Sequence, residues 1–357
     1  MAVLNKISVS NFRNVKHCDF CFAESNNLVI EGKNAIGKTN TLNAIHWAFT
    51  GVNLDGSNDN RSNLAKGTEE PIVVTLEFDG FSFTRKCEMV DGSPTVTILI
   101  NDIEQKSIKA GEAMLHTKLG LSDIVLAQPS GFDIVRFLLN PFYFDGVSAK
   151  SLRNFMIWLA HLDLISASKS QGKKTLDIIK EYKTNDPTEI IDALGKEKRT
   201  LKKNIDCCKT AKTLFKDYPD FVEIANKTLA QLNKDLVVLE TKEALIEKYA
   251  LFISNHLNTY YQSALGIKIC MLEKGVGEDV YKDVCYPILP KSNLPFSLGS
   301  QAERTIVAIK FIQSVCLGYN IKPLPLLIDN MESLDSDTLE FLEELNVQYI
   351  GARVKEV

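Results

Sequence analysis

The chain has 357 residues, of which 45% are hydrophobic, enough apolar material to bury the core of one large domain or two modest ones. A formal net charge of -4 and a pI near 5.9 exclude a protein that coats nucleic acid by bulk charge, so any such contact must come from local patches. Nothing in "MAVLNKISVSNFRN" has the apolar core of a signal peptide and no apolar stretch is long enough to span a bilayer, so the expected location is the cytoplasm, with no membrane partner.

Taken in chain order, "KHCDFCF" reads as a strand. Residues three apart on a strand point to opposite faces, so Cys18 and Cys21 do not converge on one ligand. No second pair stands at zinc spacing, and the eight cysteines read as reduced thiols rather than as a metal or redox centre.

The next stretch, "EGKNAIGKTN", matches G-x-x-x-x-G-K-[ST] through Gly32, Gly37, Lys38 and Thr39. Glycines let backbone N–H groups turn inward around phosphate oxygens, a lysine ammonium neutralises the terminal phosphates, and a threonine hydroxyl ligates magnesium. Before the match, "NNLVIE" has the composition of a strand; after it, "KTNTLNAIHWAFTG" places Leu42, Ile45, Trp47, Ala48 and Phe49 on a helical face closed by Gly51. Strand, loop and helix in that order aim the unsatisfied N–H groups of a helix start at an anion.

From Pro71 to Ile108, "IVVTLEF", "FSFTRKCEM" and "TVTILIN" read as antiparallel strands with turns at Asp79-Gly80 and Asp91-Gly92. Helices through "AGEAMLHTKLGL" and, capped by Ser148, "SAKSLRNFMIWLAHL" flank the aromatic stretch "FLLNPFYF". Leu194, Leu201, Ile205, Cys208 and Phe215 then follow three-four spacing, as do Leu229, Leu232, Leu236, Leu239, Ile246, Ile253, Leu257 and Tyr260 beyond "KDYPDF". Two helices joined by a Pro-bearing turn form an antiparallel coiled-coil hairpin with arms of roughly 40 Å or more, or else an ordinary helical-bundle insert.

The first arm carries Lys196, Lys198, Arg199, Lys202, Lys203, Lys209, Lys212 and Lys216. Such a row is commonly a solvated helix face; the functional alternative is a DNA backbone, which needs point charges and no sequence code. No CxxC stands at the tip, so tip-to-tip dimerisation through a metal has no support.

Two more strands, "GIKICMLEKG" and "DVCYPILPK", lead to "LPFSLGSQAERTIVAIKFIQSVCLG", a Ser/Gly loop (Ser297, Gly299, Ser300) entering a long helix ahead of Glu303 and Arg304. "KPLPLLIDNMESLDSD" then supplies an apolar strand, Leu324 to Ile328, ending in Asp329. Alone, that pattern reads as a strand followed by an acidic helix cap; opposite a phosphate loop, Asp329 is placed to hold the water shell of magnesium. The five histidines are isolated, without a carboxylate cluster at metal spacing, and the chain offers no nuclease centre of its own.

The order "ISVSNFRNV", "GKNAIGKTN", helical hairpin, "SLGSQAER", "LPLLIDNMESLD" resembles the SMC and RecF/RecN group of ABC-type ATPases over essentially the whole chain, especially phage-encoded relatives of the ATPase subunit of the double-strand-break repair nuclease. The resemblance implies an α/β head, a mixed sheet with an antiparallel β subdomain, formed by both chain ends, with the hairpin inserted. Its expected parts are residues 1–165, the lobe with the phosphate loop; 166–265, the helical insertion; and 266–357, the lobe with the signature-like loop and strand acid. It further implies ATP and Mg2+ as ligands, with Gly32, Lys33, Asn34, Ala35, Ile36, Gly37, Lys38, Thr39 and Asn40 on the nucleotide, Thr39 and Asp329 on the magnesium, and Leu334-Asp335 as the D-loop. Ser297, Gly299 and Ser300 would act in trans on a partner's ATP in a homodimer. Arg13 would lie near the base or the DNA side of the head. Asn140, thirteen residues before Arg153, falls where the family's Q-loop glutamine and metal contact belongs, with Gln128 as the competing candidate.

Departures from the pattern shape the functional expectation. Asn330 stands where the family has its glutamate base, and an amide cannot take a proton at neutral pH. Glu332 is the nearest carboxylate that could replace it, with a helix-cap role as the alternative. Ser300 replaces the second signature glycine, and "VQYIGARVKEV" offers only Arg353 where a switch histidine is expected. The leading expectation is an ATPase in DNA recombination, repair or replication, whose heads close on double-stranded DNA with ATP and regulate a separate nuclease subunit. The alternative is an ATP-occupancy clamp or scaffold with little hydrolysis, in phage replication or a defence system. A small-molecule kinase stands third, because it would leave the hairpin and the Ser/Gly loop without a role.

Overall fold

The computed structural model describes residues 3–22, 27–33, 36–64, 70–274, 281–345 and 347–354. The chain divides into two compact units, one of residues 1–155 with 289–357 and one of residues 156–288.

In the first unit, β1 (Leu4–Phe12), β2 (Val15–Cys21) and β3 (Asn27–Gly32) open the chain, followed by α1 (Lys38–Thr50) and the short α2 (Asn60–Asn63). Then come β4 (Ile72–Phe78), β5 (Phe81–Val90), β6 (Ser93–Ile100) and β7 (Ile103–Glu104). An antiparallel sheet runs in the order β2-β1-β4-β5-β6-β7. Strict alternation in "IVVTLEF" puts Ile72, Val74, Leu76 and Phe78 on the buried side of β4, and Phe81, Phe83 and Cys87 do the same on β5. Asp91 and Gly92 both take positive φ, 50° and 76°, which a two-residue hairpin with the right twist requires.

The second sheet of this unit is parallel, in the order β10-β11-β3, with β10 (Leu326–Ile328) and β11 (Tyr349–Val354) contributed by the far end of the chain. Between the sheets lies α1, packed against β1 and β4 on one side and β3, β10 and β11 on the other. Such a helix must be apolar nearly all round, and Leu42, Ala44, Ile45, Trp47, Ala48 and Phe49 are all buried. Gly51 ends it with φ 78°.

Helices α3 (Ile108–Lys118), α4 (Ser122–Ala127) and α5 (Ile134–Leu139) follow the first sheet. The aromatic stretch around them forms a nucleus: Phe132 stacks on Phe155 at 4.0 Å and Phe137 on Phe144 at 5.0 Å, with Phe296 and Phe311 edge-on to Phe144. The chain leaves this unit within α6 (Ala149–Leu159).

The other unit holds α7 (Leu164–Ser170), α8 (Lys173–Tyr182), α9 (Pro187–Leu214), α10 (Pro219–Leu265), β8 (Lys268–Lys274) and β9 (Tyr281–Ile288). Prolines at the first turns of α9 and α10 need no helical partner for an N–H they lack, and Asp186 caps α9. At 1.5 Å per residue the 28-residue α9 is about 42 Å long and the 47-residue α10 about 70 Å. They pack antiparallel: Lys198 pairs with Glu243, and the Cys208 thiol lies 3.6 Å from the Ala225 carbonyl.

Burial along the hairpin is uneven. The outer positions Leu201, Leu229, Leu232, Leu236 and Leu239 are half-buried, whereas Ile246, Ile253 and Leu257 are fully buried where α10 also meets α8 and β8. The spacing places Tyr260 on the seam; in the structure the buried ring is Tyr261, whose hydroxyl donates to the Met156 carbonyl at 2.7 Å, and Tyr260 is half-exposed. Back in the first unit, α11 (Gln301–Gly318) and α12 (Ser336–Glu344) flank β10 in sequence.

Candidate nucleotide-binding site

Parallel pairing sets the C-terminal ends of β3 and β10 at one edge of their sheet, with Val29, Gly351 and Ile328 in register. Open parallel sheets bind ligands at this edge. Beyond β3 the chain turns into α1 through Gly37, whose φ of 105° is closed to most side chains; a Cβ there would also stand 3.0 Å from Asn14 Oδ1. Asn34 and Ala35 lie outside the described residues, and the Ile36 side chain is exposed. The first-turn N–H groups of α1 at Lys38, Thr39 and Asn40 have no helical acceptor.

Lys38 is buried, and its ammonium donates to the Gly32 and Lys33 carbonyls at 2.8 and 2.7 Å, folding back across the loop mouth. The Thr39 hydroxyl lies 3.1 and 3.0 Å from the two carboxylate oxygens of Asp329, 290 residues away. A hydroxyl and a carboxylate side by side, both hard oxygen donors, fit a magnesium ion better than a softer metal. Among the described residues no cluster of three or more His, Cys, Asp or Glu could hold a metal.

Two pockets meet at this pair. A 150 Å³ pocket is lined by Gly37, Lys38, Asn40, Asn330 and Glu332 together with Thr39 and Asp329. A larger one of about 540 Å³ shares Thr39 and Asp329 and extends to Asn43, Asp55, Arg136, Asn140 and Tyr143. Asn330 sits in the left-handed region, φ 55° and ψ 48°. Glu332 accepts the Val354 N–H at 3.2 Å, which holds its carboxylate on the pocket wall. Gly351 makes room for this turn: a Cβ there would fall 1.6 Å from Met331 Sδ.

Asn140 lines the larger pocket, and its amide is engaged by the backbone, accepting Phe142 N–H at 2.9 Å and donating to the Leu54 carbonyl at 3.3 Å. Gln128 lines neither pocket and instead accepts the N–H of Ile134 at the start of α5. Arg13, at φ 52°, donates to Asn40 Oδ1 at 3.2 Å and Asn63 Oδ1 at 3.0 Å, beside the first turn of α1.

Ser297, Gly299 and Ser300 line neither pocket of their own chain. Ser300 caps α11 by accepting the Glu303 N–H, and Gly299 lies close against Leu289, whose Cδ1 would stand 1.8 Å from a Cβ there. Gln301 donates to the Asp329 carbonyl at 2.6 Å, tying the start of α11 to the strand acid. Asp335 caps α12, and hydrogen bonds from Thr338 hold its carboxyl below the ordinary range. Arg353 pairs with Glu31.

Sequence reasoning passed over Arg85. It is 2% exposed, donates to the Ala48 carbonyl in the last turn of α1 at 3.0 Å and pairs with Glu112 at 2.7 Å, so a strand of the antiparallel sheet supports the far end of the loop helix. The available signal was a cation at an inward position of the alternating "FSFTRKCEM".

The family model AAA_23, an AAA domain, matches residues 6–264. The chain is 31% identical over 137 residues to the DNA replication and repair protein RecF of Desulforudis audaxviator (strain MP104C), a match covering 37% of this chain and 34% of that protein, so the chain spans about a third of that relative's length. Among solved structures it is similar to the Smc head domain with an extended coiled coil bound to the C-terminal domain of ScpA, derived from Pyrococcus furiosus (13% identity, 99% of this chain and 90% of that one, TM-score 0.46). It is also similar to the recombination mediator protein RecF-ATP in the RecFOR pathway (16% identity, 99% and 92%, TM-score 0.45). The family match spans most of the chain and carries one conclusion: this chain belongs to the AAA_23 family of AAA domains.

Proposed function

We propose that the chain binds and hydrolyses ATP in DNA recombination, repair or replication, and that ATP closes two copies of its head on double-stranded DNA. The observation that carries the reading is the Thr39–Asp329 contact beside Lys38: residues from the two ends of the chain converge where a triphosphate on the loop would present its terminal oxygens. In this reading Gly32 to Asn40 cradle the phosphates, Lys38 exchanges its two carbonyl partners for phosphate oxygens, and Thr39 and Asp329 would hold magnesium, which would supply charge neutralisation for the phosphates. Asn140 bounds the terminal-phosphate side. Ser297, Gly299 and Ser300, which line neither pocket of their own chain, serve the partner's nucleotide, with Asp335 as the D-loop acid.

The base for water is open to two residues. Asn330 orients water without accepting its proton, while Glu332 on the pocket wall accepts one. If Glu332 does not serve, the site becomes an ATP-occupancy clamp, a second reading that the amide at Asn330 favours. Support for DNA comes from the RecF relative, named for DNA replication and repair, and from the lysines of α9, of which Lys198 is taken by Glu243. Cutting DNA would fall to a separate nuclease subunit.

Light scattering and DNA retention with a non-hydrolysable ATP analogue test this. A mass doubling and tighter duplex binding in wild type, both absent in Lys38→Ala, are the expected result; an analogue that binds but changes neither mass nor DNA affinity sinks the reading.

A further inference from the structure

We propose that Arg136 reads the terminal phosphate of a nucleotide held by its own chain, so that the site separates a triphosphate from a diphosphate. This rests on the nucleotide reading above and adds a specificity-determining residue to it.

Arg136 lies in α5, one turn before Asn140, whose N–H returns to the Arg136 carbonyl at 3.0 Å. The guanidinium lies over the Tyr143 ring, 5.0 Å from its centre, and lines the 540 Å³ pocket that Thr39 and Asp329 also line. Other arginines around this site are engaged: Arg304 by Asp145, Arg13 by Asn40 and Asn63, Arg353 by Glu31. Arg136 differs in its charge partner: its Nε, like that of Arg304, is buried without a hydrogen-bond partner, but among the described residues no carboxylate forms an ion pair with its guanidinium.

Asp55 shares the pocket and feels the Arg136 charge, but its carboxylate is held first by the Ser57 N–H, at 2.8 Å, and forms no ion pair with the guanidinium. Gly56, whose φ of 85° favours glycine, lies beside the cation, with a Cβ position 2.5 Å from Arg136 Nη2. Such a partly desolvated charge is costly unless something brings an anion to it. A triphosphate on the phosphate loop does so, because its last phosphoryl group is the one that reaches past Thr39 and Asp329 toward this pocket, and a planar guanidinium donates two parallel hydrogen bonds to phosphate oxygens. A diphosphate ends short of it. If Arg136 were only a strut stacked on Tyr143, its loss would weaken both nucleotides alike.

Calorimetric titration of AMP-PNP and of ADP, each with magnesium, into wild type, Arg136→Gln and Arg136→Lys separates these cases. The expected result is a loss of about ten- to a hundredfold in AMP-PNP affinity for Arg136→Gln, with ADP affinity within about twofold of wild type and a smaller AMP-PNP loss for Arg136→Lys. Equal losses for both nucleotides, or no loss for either, overturn the assignment. Should Arg136→Gln not fold, Arg136→Lys decides: a selective AMP-PNP loss supports the inference and an unchanged AMP-PNP to ADP ratio ends it. A wild type that binds neither nucleotide overturns the nucleotide reading together with this one.

Discussion

His46 sits one turn before the end of α1, fully buried, with Nδ1–H donating to the Val52 carbonyl at 2.8 Å and Nε2 without a partner. Burial first, then the nearby Arg136 charge, hold its pKa down to about 4, against 6.5 for a free imidazole. The folded state therefore refuses a proton that the unfolded chain accepts. Its stability contribution is complete above about pH 6.5 and is lost at up to about 1.4 kcal/mol per pH unit as pH falls toward 4. Urea midpoints between pH 7.5 and 5 should fall less steeply for His46→Asn than for wild type; parallel curves would remove His46 from the acid response. Arg85 acts at the other side of the same helix end. Truncation to Ala leaves Glu112 and the Ala48 carbonyl without their cation, and a loss of roughly 3 kcal/mol is expected in denaturant unfolding. A change under about 1 kcal/mol would show that Glu112, which is partly exposed, turns to water at little cost.

Among the elements, the hairpin shows which parts of the fold could be read from sequence. Three-four spacing revealed both helices and their antiparallel pairing, because a two-helix seam is written in local periodicity. It could not distinguish Tyr260 from Tyr261, since the seam ends where α10 meets β8 and the buried face is set there by neighbours distant in sequence. The consequence is measurable: Leu257→Ala, in the fully buried stretch, should cost about 2–5 kcal/mol, whereas Leu229→Ala, half-buried on the outer arm, should cost under about 1 kcal/mol. Equal costs would mean that the outer seam is packed as tightly as the inner one. The turn before α1, the acid after β10 and the Ser/Gly turn before α11 follow short local patterns, and the structure places the first two side by side. Arg136 and Arg85 could not be read that way: their roles depend on what the fold places beside a single cation, Tyr143 and Gly56 for one, Glu112 and α1 for the other.

At the scale of the whole molecule, the two chain ends build one site, with β3 and α1 from the start and β10 and β11 from the finish, the three strands joined in one parallel sheet. A ligand held by both Thr39 and Asp329 would thus bridge residues 290 apart in the chain. The α9 lysines belong at this scale too: replacing Lys202, Lys203, Lys209 and Lys212 with Gln should weaken duplex binding and flatten its salt dependence, by about 0.9 in log–log slope for each DNA phosphate that is no longer neutralised. An unchanged slope would make that row a solvated face.

Steady-state ATP hydrolysis by the purified protein, with magnesium, with and without linear duplex DNA and with Lys38→Ala as the blank, tests the central claim most directly. The expected result is turnover that DNA stimulates, that vanishes in the blank and that Glu332→Gln strongly reduces. Binding of ATP without turnover above the blank would contradict it, leaving Asn330 as the mark of a clamp set by occupancy alone.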